Sequence, residues 1–330
     1  MKEYDLIAIG DMATDAFIRM EEPGAHCHMD RQNLELCMYY GEKVPYQFVE
    51  VVTSVGNSPN ASVCASRLGL KCALISNIGD DRYGEDCLKN LTKEKVDIDF
   101  VSKQNGKESN YHYVLWFEDD RTILVKHHAY EYKLPNFEEP KAIYLSSIGE
   151  NTENYHEEIA NYLENHPNVK LIFQPGTFQI KLGTEKLKRI YKRTDFFAVN
   201  KREAQKVLKN KEEDFKKLID DLHKLGPKMV LITDGVKGAY FSDGSKKLFM
   251  PIYPDEKPPY ERTGAGDSYT STLACSILLF QKSPEEGLQL AGINANSVIQ
   301  FIGAQKGLLN KEKIEEKLKT AKENYVAKEI

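Results

Sequence analysis

The run Thr263-Gly264-Ala265-Gly266-Asp267, followed at once by Ser268-Tyr269-Thr270, sets two glycines and a carboxylate at the start of a helix. Glycine lets the backbone come close to a ligand, and the unpaired amides of a helix's first turn lie at the positive end of its dipole. An oligophosphate fits such an anion site. Asp267 stands where a carboxylate reaches an attacking hydroxyl and takes its proton. The same residues fit a plainer role, in which Gly264 and Gly266 make a tight loop and Asp267 caps the helix. No G-x-x-x-x-G-K-[ST] run is present, and no G-x-G-x-x-G follows the first strand, which argues against a P-loop and against a nicotinamide-binding dehydrogenase. His26-Cys27-His28 offers zinc-type ligands, but adjacent residues seldom converge on one ion, so a loop is the better reading.

These residues need a frame. Residues 4–9 form a short apolar run ending at Gly10, the pattern of a buried strand that feeds a loop over 11–15. The stretch 16–54 is irregular apart from a strand over 48–54, and a second β-rich block spans 110–117 and 121–126 around the turn Glu118-Asp119-Asp120. Between them the patterns predict a helix over 60–68, a strand over 71–78 and a helix over 81–94. After Ala142 strands at 142–148, 169–173 and 196–199 alternate with helices at 154–165, 184–191 and 201–208, which implies a parallel sheet covered on both faces. A helix over 214–225, a strand over 229–233, hairpin strands at 238–242 and 246–250, and helices over 267–281, 284–301 and 311–327 complete the chain. In the last helix Ile314, Leu318, Ala321 and Tyr325 form one apolar stripe. The β segments at about 16–54 and 108–127 read as insertions that build a small lid sheet over one unit spanning 1–330.

With these pieces in order, the chain resembles the ribokinase-like, or PfkB, carbohydrate kinase family, whose Gly-Ala-Gly-Asp signature opens a helix near the C-terminal quarter. The resemblance implies an α/β fold: a three-layer α/β/α domain with a mainly parallel central sheet and a small β-sheet lid. It implies Asp267 as catalytic base, with Gly264, Ala265 and Gly266 as the anion hole. Gly10-Asp11-Met12-Ala13-Thr14-Asp15 matches the early Gly-x-x-x-x-Asp loop and gives Asp15 to substrate hydroxyls. Val55-Gly56-Asn57-Ser58-Pro59-Asn60 matches the Gly-Gly-x-x-x-Asn element, with Gly56, Asn57 and Asn60 at the substrate and Val55 replacing the first glycine. Asn200-Lys201-Arg202-Glu203 matches Asn-x-x-Glu, so Asn200 and Glu203 are expected to organise waters on Mg²⁺; the spacing also fits a capping box. Asn200, Thr233, Gly235 and Gly238 are expected at the nucleotide, and Asn294 near the adenine. Glu261 stands where many relatives have aspartate beside a cation loop, which leaves a monovalent cation such as K⁺ open.

The implied activity is ATP-dependent phosphorylation of a sugar hydroxyl, with ribose, fructose or a related carbohydrate as acceptor. An adenosine-type nucleoside is the alternative and would need an aromatic platform from Phe117, Tyr130, Phe137 or Phe178. A phosphosugar would need cations, for which Lys43, Lys126 and His127-His128 are the candidates. A silent nucleotide or sugar sensor of the same fold is the remaining reading.

Composition agrees with a small-molecule enzyme. A net charge of -5 over 330 residues, with basic and acidic residues interspersed, does not favour nucleic acid. No apolar run approaches the length of a bilayer span and residues 1–10 lack a signal pattern, so a cytoplasmic protein with no membrane partner is expected. The cysteines show no C-x-x-C pair and read as reduced. An exposed lid face would also let two copies pair as a homodimer.

Overall fold

The structure, a computed structural model, describes residues 2–21, 25–29, 34–118, 120–254 and 257–330. The chain opens with β1 (Leu6–Ile9), β2 (Ala13–Met20), β3 (Ala25–Met29), β4 (Leu34–Met38) and β5 (Tyr46–Val55). There follow α1 (Asn57–Arg67), β6 (Cys72–Gly79), α2 (Arg82–Lys93), β7 (Val96–Asp97), β8 (Val101–Gln104), β9 (Asn110–Phe117) and β10 (Asp120–Leu124). An alternating stretch comes next: β11 (Ala142–Leu145), α3 (Glu153–Asn165), β12 (Lys170–Phe173), α4 (Thr177–Leu182), α5 (Lys188–Arg193), β13 (Phe196–Asn200) and α6 (Lys201–Leu208). The last part holds α7 (Phe215–Lys224), β14 (Met229–Thr233), β15 (Ala239–Ser242), β16 (Lys247–Met250), α8 (Ala265–Leu278), α9 (Pro284–Val298), α10 (Lys311–Lys319) and β17 (Lys328–Glu329).

The large sheet runs β17-β16-β15-β14-β13-β12-β11-β1-β6-β7, with β8 also on β6. From β14 to β7 the pairing is parallel, and β15 to β17 extend it antiparallel. Its central strands are apolar at every position because both faces are covered. In β1, Leu6 and Ala8 belong to the buried cluster that holds Ala65, Leu273 and Ile293 of the helices on one side, and Ile7 and Ile9 to the one that holds Ile159, Leu163 and Leu218 on the other. Each leucine or isoleucine side chain so buried contributes about 1.5–3 kcal/mol. These are the three layers that the resemblance implies.

A second sheet of four strands, ordered β10-β9-β2-β5, stands apart. β2 runs parallel to β9 and antiparallel to β5. Phe17, Val114 and Trp116 fill its inner face and pack with Phe48, Val52 and Ile302, which ties it to the loop after α9.

Several expectations change. The segment 16–54 is not irregular: β2 already starts at Ala13, so Asp15 lies within a strand next to a register irregularity and not on a loop. His26-Cys27-His28 is strand, with the backbone of β3 paired to β4, while its side chains fall outside the described residues. The helix expected over 184–191 is replaced by α4 and α5, separated by Gly183 in a positive-φ conformation. The helix expected over 311–327 ends at Lys319. Tyr325 is still buried, but it reaches the core by folding back onto α9, where its hydroxyl donates to the Gln289 carbonyl at 2.9 Å and its own carbonyl accepts from Gln289 Nε2 at 2.7 Å. Among the described residues no helix is long and apolar enough to cross a membrane.

Candidate active site

A cleft of about 1030 Å³ opens at the C-terminal ends of β1, β12, β13 and β14, beneath the four-stranded sheet. That is where loops leaving a parallel sheet converge and where such folds bind ligands. At its centre is the turn before α8. Gly264 is the N-cap at φ 81, and a Cβ there would lie 2.2 Å from the Ala304 Cβ, so neither the conformation nor the space admits another residue. A Cβ on Gly266 would meet nothing within 4 Å, which leaves the first helical turn open to the cleft.

Glu261, fully buried, holds this turn. Its Oε1 accepts from the Thr263 amide at 2.8 Å and the Thr263 hydroxyl at 2.7 Å, and its Oε2 from the Gly303 amide at 3.3 Å. The guanidinium of Arg121, reaching from β10, stands 4.0 Å from the same Oε1.

Asp267 is the third residue of α8 and accepts from three side-chain amides. Asn57 Nδ2 reaches Oδ1 at 2.7 Å, Gln174 Nε2 reaches Oδ1 at 3.0 Å, and Asn60 Nδ2 reaches Oδ2 at 2.7 Å. The donors come from the first turn of α1 and from the end of β12, so two separate elements orient one carboxylate. Asn57 and Asn60 were expected at substrate hydroxyls; both line the cleft, yet here they are engaged with Asp267, and the Asn60 carbonyl oxygen also accepts from Gln305 Nε2 at 3.0 Å. Gln174 was missed. Its one signal was a polar residue directly after the apolar run 169–173, at a strand's C-terminal end.

Toward the four-stranded sheet the cleft is lined by Asp11, Asp15, His112, His127 and Phe178. Asp15 Oδ1 lies 3.2 Å from His112 Nδ1. Asp11 accepts from the Tyr132 hydroxyl at 2.9 Å and the Gly149 amide at 2.8 Å. Gly56, at φ 126, passes so close that a Cβ would lie 2.6 Å from the Asp11 carbonyl oxygen. Val55, in place of a glycine, pairs with Ala13 at the end of β5 and is buried. Of the aromatic candidates only Phe178 reaches the cleft, since Phe137 packs on Phe100 and Tyr162, the Tyr130 hydroxyl is bonded to the Glu108 carbonyl at 2.8 Å, and Phe117 belongs to β9 away from the lining. Lys126 pairs with Glu108, Lys43 is exposed, and His128 lies near Glu108; His127 alone of the basic candidates lines the cleft.

At the opposite end lie Asn200, Glu203, Thr233, Gly235 and Gly238. Asn200 and Glu203 form the capping box of α6, with Oδ1 accepting from the Glu203 amide at 2.9 Å and Oε2 from the Asn200 amide at 2.8 Å. The capping and the site-facing readings therefore hold together. Burial pushes the Glu203 carboxyl up, and the negative charge of Asp267 adds to this. An amide and a carboxylate lining the cleft fit a Mg²⁺ that keeps several of its waters. Lys237 points away, exposed and 3.7 Å from Asp234.

Asn294 is a correction. It is fully buried and outside the cleft: its Nδ2 donates to Thr272 Oγ1 at 2.9 Å and its Oδ1 accepts from the Leu309 amide at 2.9 Å, so it ties α9 to α8 and to the following loop. The cleft-facing residues of α9 are Gly292, Ala295 and Asn296.

Residues 26–311 match the family described as pfkB family carbohydrate kinase. The ribokinase of Bacillus subtilis (strain 168) is 28% identical over 270 residues, covering 80% of this chain and 87% of that protein. A Methanocaldococcus jannaschii nucleoside kinase, solved as an archaeal member of the ribokinase family, superposes with a TM-score of 0.78 at 18% identity over 96% of this chain and 98% of its own. The Arabidopsis thaliana ribokinase solved with ribose and ATP gives 0.77 at 20% identity over 96% and 99%. With this family match over most of its length, the glycine turn with Asp267 and the two-sheet architecture in one place, the chain belongs to the PfkB family of carbohydrate kinases, phosphotransferases that act on an alcohol group.

Proposed function

We propose that the protein transfers the γ-phosphate of ATP to a hydroxyl, a primary one, of a sugar such as ribose or fructose. The observation that carries this is Asp267, held by three amides at the mouth of the glycine turn and between the two ends of the cleft. Phosphoryl transfer asks chiefly for positioning and charge stabilisation. Asp267 takes the proton of the attacking hydroxyl, and the amides of Gly264, Ala265 and Gly266 face the charge that develops on the moving phosphoryl group. Asn200 and Glu203 would hold Mg²⁺ through water, which when bound screens the phosphate charge. Thr233, Gly235 and Gly238 line the nucleotide end, and Asp15 with Gly56 lines the acceptor end.

Sugar is favoured over nucleoside because only Phe178 among the four aromatic candidates offers a ring to the cleft. The four-stranded sheet acts as a lid, and its outer side, with Val49, Val51, Tyr113 and Leu124 exposed, pairs two copies; a monomer by light scattering at assay concentration would rule that pairing out. A monovalent cation such as K⁺ supports the turn that Glu261 anchors. ADP release across pentoses, hexoses, hexose phosphates and nucleosides, with and without potassium, tests the whole reading. Sugar-dependent ADP release supports it, nucleoside-dependent release replaces the acceptor, and binding without turnover leaves a sensor.

A further inference from the structure

The residues that the family signature does not cover include two histidines brought together at the acceptor end. His112 is on β9, and His127 follows β10. Their ring centroids are 5.3 Å apart, and the His127 and Phe178 rings stand perpendicular with centroids 5.4 Å apart. Each stands against a carboxylate, His112 Nδ1 at 3.2 Å from Asp15 Oδ1 and His127 Nδ1 at 3.3 Å from Asp11 Oδ2. Both carboxylates are buried and both imidazoles are mostly so, with 14% and 16% of the side chain exposed.

Two ring atoms decide what this cluster does. His112 Nε2 and His127 Nδ1 are shielded from solvent and have no hydrogen-bond partner among the described residues, the latter because its approach to Asp11 is poorly aligned. Buried polar atoms are seldom left so, and here both belong to side chains that line the cleft. A neutral imidazole that donates through one nitrogen accepts through the other. With His112 Nδ1 giving its proton to Asp15, Nε2 is an acceptor for a hydroxyl proton. Asp15 itself offers a second acceptor atom, so this wall reads neighbouring O–H groups.

Charge narrows the ligand. Two buried carboxylates face this end. The described cationic side chains around the cleft are Arg121, Lys257 and Arg262. Arg121 is opposite Trp116, four residues along β9 from His112, about 13 Å by strand rise, and its guanidinium lies between Asp120, to which it donates at 3.1 Å, and Glu261 at 4.0 Å. Lys257 and Arg262 lie in the segment leading to the glycine turn. No lysine or arginine among the described residues pairs with Asp11 or Asp15.

We infer that His112 and His127 are the residues that read the acceptor's hydroxyls, and that the pocket they form with Asp11 and Asp15 takes an uncharged polyhydroxylated ring and turns away a phosphorylated one. This rests on the kinase reading above for the reaction, but the recognition itself is independent of turnover. The ring lies beside Phe178 and presents O–H groups to Asp15 and, as binding parts the contacts that shield it in the free chain, to His112 Nε2. A phosphate ester would bring two negative charges against two buried carboxylates.

The test uses the full chain and its His112→Gln and His127→Gln variants, with ribose, fructose and fructose 6-phosphate as probes. ADP release gives KM for acceptor and for ATP, and calorimetry without nucleotide gives the sugar affinity alone. For at least one neutral sugar, each variant should weaken binding and raise acceptor KM by about tenfold or more, with the KM for ATP unchanged as a check on folding. Fructose 6-phosphate should be worse than fructose by a similar factor. Unchanged acceptor KM and affinity in both variants, preference for the phosphorylated sugar, or no binding of any neutral sugar each overturns the inference. Sugar binding that is lost in the variants, with no ADP released by the wild type, upholds it and overturns the kinase reading instead.

Discussion

Gln174 shows how much one side chain beyond the signature contributes to the site. Its amide donates to Asp267 at 3.0 Å, and its own carbonyl oxygen accepts from the Tyr144 hydroxyl, so a buried tyrosine on β11 sets the amide that sets the carboxylate. Misplacing a catalytic group by an ångström can cost about a hundredfold in rate. Gln174→Ala should therefore lower kcat by about tenfold to a hundredfold with little change in the KM for ATP, measured by coupled ADP release. A change confined to KM would place Gln174 at the substrate and not behind the base. Asn294 makes the opposite point: an asparagine on a helix of small residues resembles a ligand contact, but all its described bonds are internal.

The elements differ in how firmly they are anchored. The four-stranded sheet rests on a small cluster around Trp116, the chain's single tryptophan, which is buried by edge contacts to Phe48 at 5.9 Å and Tyr260 at 5.1 Å and by the Arg19 guanidinium at 4.4 Å from its ring. The ring of Trp116 joins the sheet to Tyr260, so if the sheet closes over the acceptor the Trp116 emission should shift when sugar is added; an emission spectrum unchanged by sugar would argue against a lid. The parallel sheet is pinned more tightly. Asp195, just before β13, accepts from the Leu171 amide of β12 at 2.9 Å, from Lys228 at 2.8 Å and from Arg193 at 3.0 Å. Burial alone would raise its carboxyl, but Lys228, the Leu171 amide and Arg193 more than offset this and hold it below the usual carboxylate range. A folded pKa below the unfolded one means that the stabilisation is complete above about pH 4 and is lost as the pH falls through the folded value. Asp195→Asn should thus cost about 2 kcal/mol in urea unfolding at pH 7, and the gap to wild type should close in acid. A gap independent of pH would show that packing, not charge, is lost.

At the scale of the molecule, the sequence yields what is local and conceals what depends on meeting at a distance. The helix expected over 81–94 lies between the N-cap Asp81 and the C-cap Glu94, because capping is written in a few adjacent residues. The alternation after Ala142 gave the parallel core for the same reason. Tyr325 was legible as buried but not in its path, since helical spacing continues through the turn where the chain leaves α10. The glycine turn and Asp267 could be read from one short run. Gln174, His112 and His127 could not, since their roles arise only where β12, β9 and the segment after β10 meet the start of α8 and the end of β1. Substitution of Asp267 tests the central claim most directly. Asp267→Asn should lose about a hundredfold to ten-thousandfold in kcat with an accepted sugar while binding ATP as wild type does by calorimetry, whereas near-normal turnover by that variant would contradict the assignment of Asp267 as the proton acceptor.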